Sequence, residues 1–233
     1  MPSTKTRAAL AAVGYGALAA TDSYLAGRHT KGARRARFLT KPLLMPALAT
    51  AFASATEGRT DVLRRGTLAA QALSWGGDLA LLGKNERAFL TGVGSFAGAH
   101  AAYIGGFASA TRRPMRLDGQ GLKTAAGMWL TTAPVMALAA GRKSPALRGP
   151  VAGYATLLAS MFASSTLVGR DMSPTARRSI VAGTSLFLLS DTLLATQEFL
   201  LTEKRPRLET AVMATYTAGQ ALIAAGAAGA AKA

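Results

Sequence analysis

The chain has no cysteine. Disulfides, thiolate metal sites and a cysteine nucleophile are therefore excluded. Charge is also scarce, at 16% of residues, where a soluble domain carries about 25%. Carboxylates are fewest of all: eleven Asp and Glu stand against 27 Lys and Arg, for a net charge of +16, and there are only two histidines. Aromatic residues make up 6%, too few and too scattered for a base-stacking surface.

What is abundant is apolar. Hydrophobic residues make up 50% of the 233, and mean hydropathy is +0.23. The positive charge lies in breaks between apolar runs, as in Arg28 to Arg37, Arg112 to Arg116 and Lys204 to Arg207. Basic breaks of this kind suit lipid headgroups, and their placement argues against nucleic acid as a partner. Lys5 and Arg7 followed by an Ala-rich stretch outline a signal peptide, but the run continues to about Leu25, long enough to span, so we read it as a retained first span.

The runs predict an all-α polytopic bundle forming one transmembrane domain over 1–233. Spans are expected at about 8–26, 40–56, 66–82, 88–109, 121–140, 148–168, 178–201 and 208–230, each near the ~20 residues that a bilayer requires. Gly92, Gly94, Gly98, Gly105 and Gly106 predict that the fourth span packs tightly inside the bundle. Lys and Arg divide almost evenly between the two sides, so charge alone does not set an orientation.

Seven carboxylates sit in breaks or at span ends: Glu57, Asp61, Glu86, Asp118, Asp171, Glu203 and Glu209. Asp78 and Asp191 lie well within apolar runs, and Asp22 and Glu198 nearer the ends. A carboxylate inside a membrane costs several kcal/mol unless it is paired, neutralised or hydrated, so Asp78 and Asp191 are read as functional before structural. Asp22 and Glu198 fit snorkelling to the interface equally well. Asp191 and Glu198 share a helix face with Thr184, Phe187 and Ala195, and His100 shares one with Tyr103. His100 fits catalysis, or a bond to a neighbouring carbonyl, equally well. Lys41 followed by Pro42 reads most simply as an interfacial anchor with a proline in the first turn. There is no His-Glu-x-x-His spacing and no G-x-S-x-G elbow. The Gly92–Gly98 stretch lacks the strand context of a phosphate loop.

Five stretches resemble one family. Arg37-Phe38-Leu39-Thr40-Lys41-Pro42-Leu43-Leu44-Met45-Pro46, Ser74-x-x-Gly77-Asp78, Phe96-x-x-x-His100-x-x-Tyr103, Phe187-x-x-Ser190-Asp191 and Glu209 through Tyr216 to Gln220 are similar, in order, to the signatures of the YhhN-like lysoplasmalogenases. The resemblance implies an eight-helix integral membrane enzyme that hydrolyses the vinyl-ether bond of lysoplasmalogens, releasing a fatty aldehyde and glycerophospho-ethanolamine or -choline. It also implies a polar site of Lys41, Asp78, His100, Tyr103, Ser190, Asp191, Glu209 and Tyr216. Spans one, five and six carry little of the pattern, and Trp75-Gly76 departs from it.

The inventory of residues suits that chemistry. A vinyl ether hydrolyses when an acid protonates carbon and water traps the oxocarbenium-like cation, as in glycoside cleavage by two carboxyl groups. Asp78 and Asp191 are expected to form that pair, with His100 and Tyr103 orienting a carboxyl group or the water. Lys41 would hold the lipid phosphate. Ser190, Glu209 and Tyr216 would complete the substrate site, with a lysophospholipid as partner and with no metal or organic cofactor required. The rival reading is a proton-coupled transporter or lipid-translocating protein, which intramembrane Asp and His also suit. A purely structural membrane protein is the third. Arginine outnumbers lysine 19 to 8 and alanine is plentiful, which points to a GC-rich bacterial genome and an inner membrane.

Overall fold

The structure is a computed structural model, and it describes residues 3–83, 85–111, 119–169, 172–203 and 205–230. The basic run after Thr111, Asp118, Asp171 and Lys204 fall outside the described residues. Eight α-helices account for most of the rest: α1 Thr4–Ala26, α2 Lys31–Ala55, α3 Val62–Ala80, α4 Glu86–Ser109, α5 Gln120–Lys143, α6 Arg148–Thr166, α7 Pro174–Phe199 and α8 Pro206–Gly229. No strand occurs among the described residues. A single antiparallel bridge, Thr111 to Val168, ties the ends of α4 and α6 together.

The helix starts are explicit in the sequence. Ser3, Thr30, Asp61, Asn85 and Ser173 each accept a backbone N–H from the first turn that follows, satisfying a donor that the helix itself leaves free. Proline opens α7 and α8, where its missing N–H is harmless.

The start of α2 differs from expectation. Residues 31–37 are helical, not a break between spans, because Thr30 caps them and Ala, Lys and Arg are strong helix formers. Pro42 and Pro46 consequently lie inside the helix, well past its first turn. Pro46 has no N–H to give to the Pro42 carbonyl. Trp75 Nε1 on α3 donates to that carbonyl instead, at 2.9 Å.

Sequence neighbours form antiparallel hairpins: α1 with α2, α3 with α4, α5 with α6, and α7 with α8. Further contacts of α2 with α3, α4 with α6, α6 with α7 and α8 with α1 close seven helices into a ring. α5 packs outside that ring on α6 and α7. Small residues permit the closest approach. A Cβ on Gly183 would come within 2.7 Å of the Gly219 carbonyl oxygen, and one on Gly219 within 2.8 Å of the Gly183 oxygen, so α7 and α8 touch backbone to backbone. On α4 the expectation holds in part: Gly92, Gly98 and Gly106 face α3, while Gly94 and Gly105 meet nothing.

Helices α2, α7 and α8 are long and apolar enough to cross a membrane. The other five have comparable length, and Gly, Ser, Thr or Arg dilutes their hydropathy. Leu10, Val13, Leu39, Leu43, Leu130 and Val135 all point outward. An apolar exterior around a polar interior is the arrangement of a membrane protein.

Candidate functional site

The polar side chains inside the bundle gather in two clusters. In the first, Asp78 of α3 is buried and pairs with Lys41 of α2, whose Nζ lies 3.3 Å from Oδ1. Tyr216 of α8 donates its hydroxyl to Asp78 Oδ2 at 2.7 Å. Nearby, Tyr103 donates to Gln220 Oε1 (2.5 Å), and Gln220 Nε2 donates to Ser74 Oγ (2.9 Å). Tyr15 of α1 donates to the Thr217 carbonyl at 2.7 Å. Gln71, one turn before Ser74, is fully buried, and its amide has no partner among the described residues.

The second cluster joins α4, α6 and α7. Tyr154 donates its hydroxyl to Asp191 Oδ2 at 2.5 Å. His100 Nε2 lies 3.0 Å from the Tyr154 oxygen and 3.5 Å from Asp191 Oδ2. With its proton assigned to Nε2, the buried imidazole donates to Tyr154, which donates onward to Asp191. His100 Nδ1 has no partner among the described residues.

An aromatic layer lies between the clusters. Phe187 packs edge-on to His100 (5.0 Å between centroids) and to Tyr216 (5.5 Å). Phe96 packs edge-on to Tyr216 at 5.8 Å. Gly77 makes room for it, because a Cβ there would sit 2.5 Å from the Phe96 ring. Asp78 and Asp191 share no hydrogen-bond partner among the described residues: each has its own, with these rings packed between the two sets.

The second cluster opens to a cleft. Asp191 and Tyr154 line an apolar cleft between α4, α5, α6 and α7, walled by Phe96, Trp129, Leu158 and Leu188, with Glu198 and Phe199 towards one end. A carboxyl group on the wall of a mostly apolar cleft, with a hydroxyl and an imidazole behind it, is equipped to move a proton onto an apolar ligand. Among the described residues no three His, Asp or Glu groups converge as a metal ion requires.

The remaining expected residues are dispersed. Lys41 is buried against Asp78, so it is not the interfacial group expected to take up a lipid phosphate. Ser190 donates to the Val212 carbonyl at 2.9 Å and joins α7 to α8. Tyr103 belongs to the first cluster and does not reach Asp191's partners. Glu209, in the first turn of α8, meets His29 at 3.0 Å, about two turns from Tyr216. Asp22 does not snorkel: it is fully buried, bound by Arg37 (3.3 Å) and by the Thr40 hydroxyl (2.6 Å). Glu198 pairs with Lys143.

Tyr154 is the member of this cluster that the sequence did not single out. Its one signal was that it is one of five tyrosines and stands alone in the apolar run of α6.

The model of the YhhN family matches residues 36–227 of the chain. No curated protein matches it, and no solved structure does.

Proposed function

The chain belongs to the YhhN family, and on that premise we propose that it is a membrane hydrolase cleaving the vinyl-ether bond of lysoplasmalogens. The observation that carries this reading is Asp191: it is a carboxyl group on the wall of an apolar cleft, held by Tyr154, with His100 behind. The alkenyl chain would lie along Leu158 and Leu188, with its ether oxygen level with Asp191. Asp191 in its acid form gives a proton to the outer vinylic carbon. The cation formed at the carbon bearing oxygen is stabilised by the resulting carboxylate, which also draws a proton from the attacking water. The hemiacetal then collapses to a fatty aldehyde and a glycerophospho-alcohol. Tyr154 and His100 orient Asp191 and give its proton a route. Asp78, across the aromatic layer, acts by position, holding α2, α3 and α8 through Lys41 and Tyr216. The Arg- and Ala-rich composition supports a bacterial inner membrane as its location.

The test is aldehyde release from a lysoplasmenyl-ethanolamine by the purified protein in detergent, beside a saturated-ether analogue. Release from the vinyl ether alone is expected. The buried Lys41–Asp78 pair favours a second reading, proton-coupled transport or lipid translocation. No release in detergent, together with gradient-dependent flux in vesicles, would select it.

A further inference from the structure

One end of the cleft carries an ion pair that the chemistry at Asp191 leaves unused. Lys143 is the last residue of α5, and Glu198 is one residue from the end of α7. Their side chains pair, and Lys143 Nζ also donates to the Glu198 carbonyl at 3.1 Å. The ammonium stands 6.0 Å from the Phe199 ring centre, and Phe199 packs edge-on to Phe89. Glu198, Phe199 and Phe89 line the same cleft as Asp191. The pair is accessible, with 52% of the lysine side chain and 27% of the glutamate exposed, so it adds little to folding stability.

Its position is informative. Glu198 follows Asp191 by seven residues, two turns along the same face and about 10 Å along the axis. In a glycerophospho-ethanolamine, five bonds lead from the ether oxygen to phosphorus and four more to nitrogen. At about 1.5 Å per bond and normal bond angles, the reach is roughly 6 Å to phosphorus and roughly 11 Å to nitrogen. An ether held at Asp191 thus brings a zwitterionic headgroup level with a lysine and a glutamate.

We propose that Lys143 and Glu198 form a headgroup clamp that selects zwitterionic lysophospholipids. The assignment rests on the lysolipid reading of the cleft. The resident pair opens, Nζ takes the phosphate, and the carboxylate takes the ammonium, so two ion pairs replace one. A headgroup with phosphate but no ammonium sets its charge against Glu198 and is disfavoured.

The test is binding, measured apart from turnover. Short-chain saturated-ether lysolipids, which have no vinyl bond to cleave, are titrated calorimetrically into the full-length protein in detergent. Three probes are used: the phosphoethanolamine, the bare phosphate monoester and the alkylglycerol without a headgroup. The wild type should bind the first about fivefold more tightly than the second. Glu198→Gln should abolish that preference. Lys143→Gln should weaken both phosphate probes about fivefold and leave the alkylglycerol unchanged. Unchanged alkylglycerol binding also reports that the cleft is folded. Equal binding of the phosphoethanolamine by all three proteins, or none by the wild type, overturns the clamp. Headgroup-dependent binding without aldehyde release overturns the hydrolase reading alone, and release with headgroup-indifferent binding overturns the clamp alone.

Discussion

At the residue scale, a charge inside the bundle is tolerable only with its partner. Asp78 and Lys41 are both buried and face each other. Removing one of them leaves the other uncompensated where water does not reach, a loss of about 3–5 kcal/mol. Lys41→Met is therefore expected to lower the thermal midpoint in detergent sharply, and adding Asp78→Asn should recover much of the loss. Additive effects in the double variant would dissolve the pair. Asp78, His100 and Asp191 were legible in the sequence because a polar group in an apolar run stands out by its cost. Their partners were not. Tyr154 meets His100 across 54 positions of chain, and a tyrosine in an apolar run carries no mark of what its hydroxyl will find. Arg37 was read as part of a break, which hid the arginine that lets Asp22 stay fully buried.

Among the elements, α2 has the most to explain, since it runs unbroken through two prolines. The structure answers for one of the orphaned carbonyls: Trp75 supplies to Pro42 the donor that Pro46 lacks. In a bilayer no water can stand in for that donor. Trp75→Phe should cost about 1–3 kcal/mol. It should cost clearly less on a Pro46→Ala background, where the backbone N–H returns. Chemical or thermal unfolding of the four proteins of this cycle checks the coupling, and equal losses on both backgrounds would refute it. Helix identity was readable from apolar runs, caps and prolines; the true start of α2 was not, because basic residues serve a capped helix as readily as a loop. The glycine-rich α4 drew attention by composition, yet the closest backbone contact is between α7 and α8. Which glycine meets which depends on rotation about the helix axis, a quantity that composition does not carry.

For the whole molecule, the ring of seven helices with α5 outside it sets where the apolar cleft lies. Within the ring, Asp78 and Tyr216 are buried and hydrogen-bonded to each other. Where α5 leans on α6 and α7, the apolar cleft opens and Asp191 lines its wall. The sequence made the two aspartates look equivalent, since both sit deep in apolar runs, and only the packing separates them. The central claim is that Asp191 acts as the acid while Asp78 holds helices together. The direct measurement is aldehyde release from a lysoplasmenyl lipid by Asp191→Asn and Asp78→Asn, with thermal unfolding of each. Asp191→Asn should keep a midpoint near that of the wild type and lose activity by about a hundredfold or more. Asp78→Asn should unfold at lower temperature and, below its midpoint, retain turnover within about an order of magnitude of the wild type, well above that of Asp191→Asn. A well-folded Asp78→Asn without activity beside an active Asp191→Asn would contradict the account and move the acid across the aromatic layer.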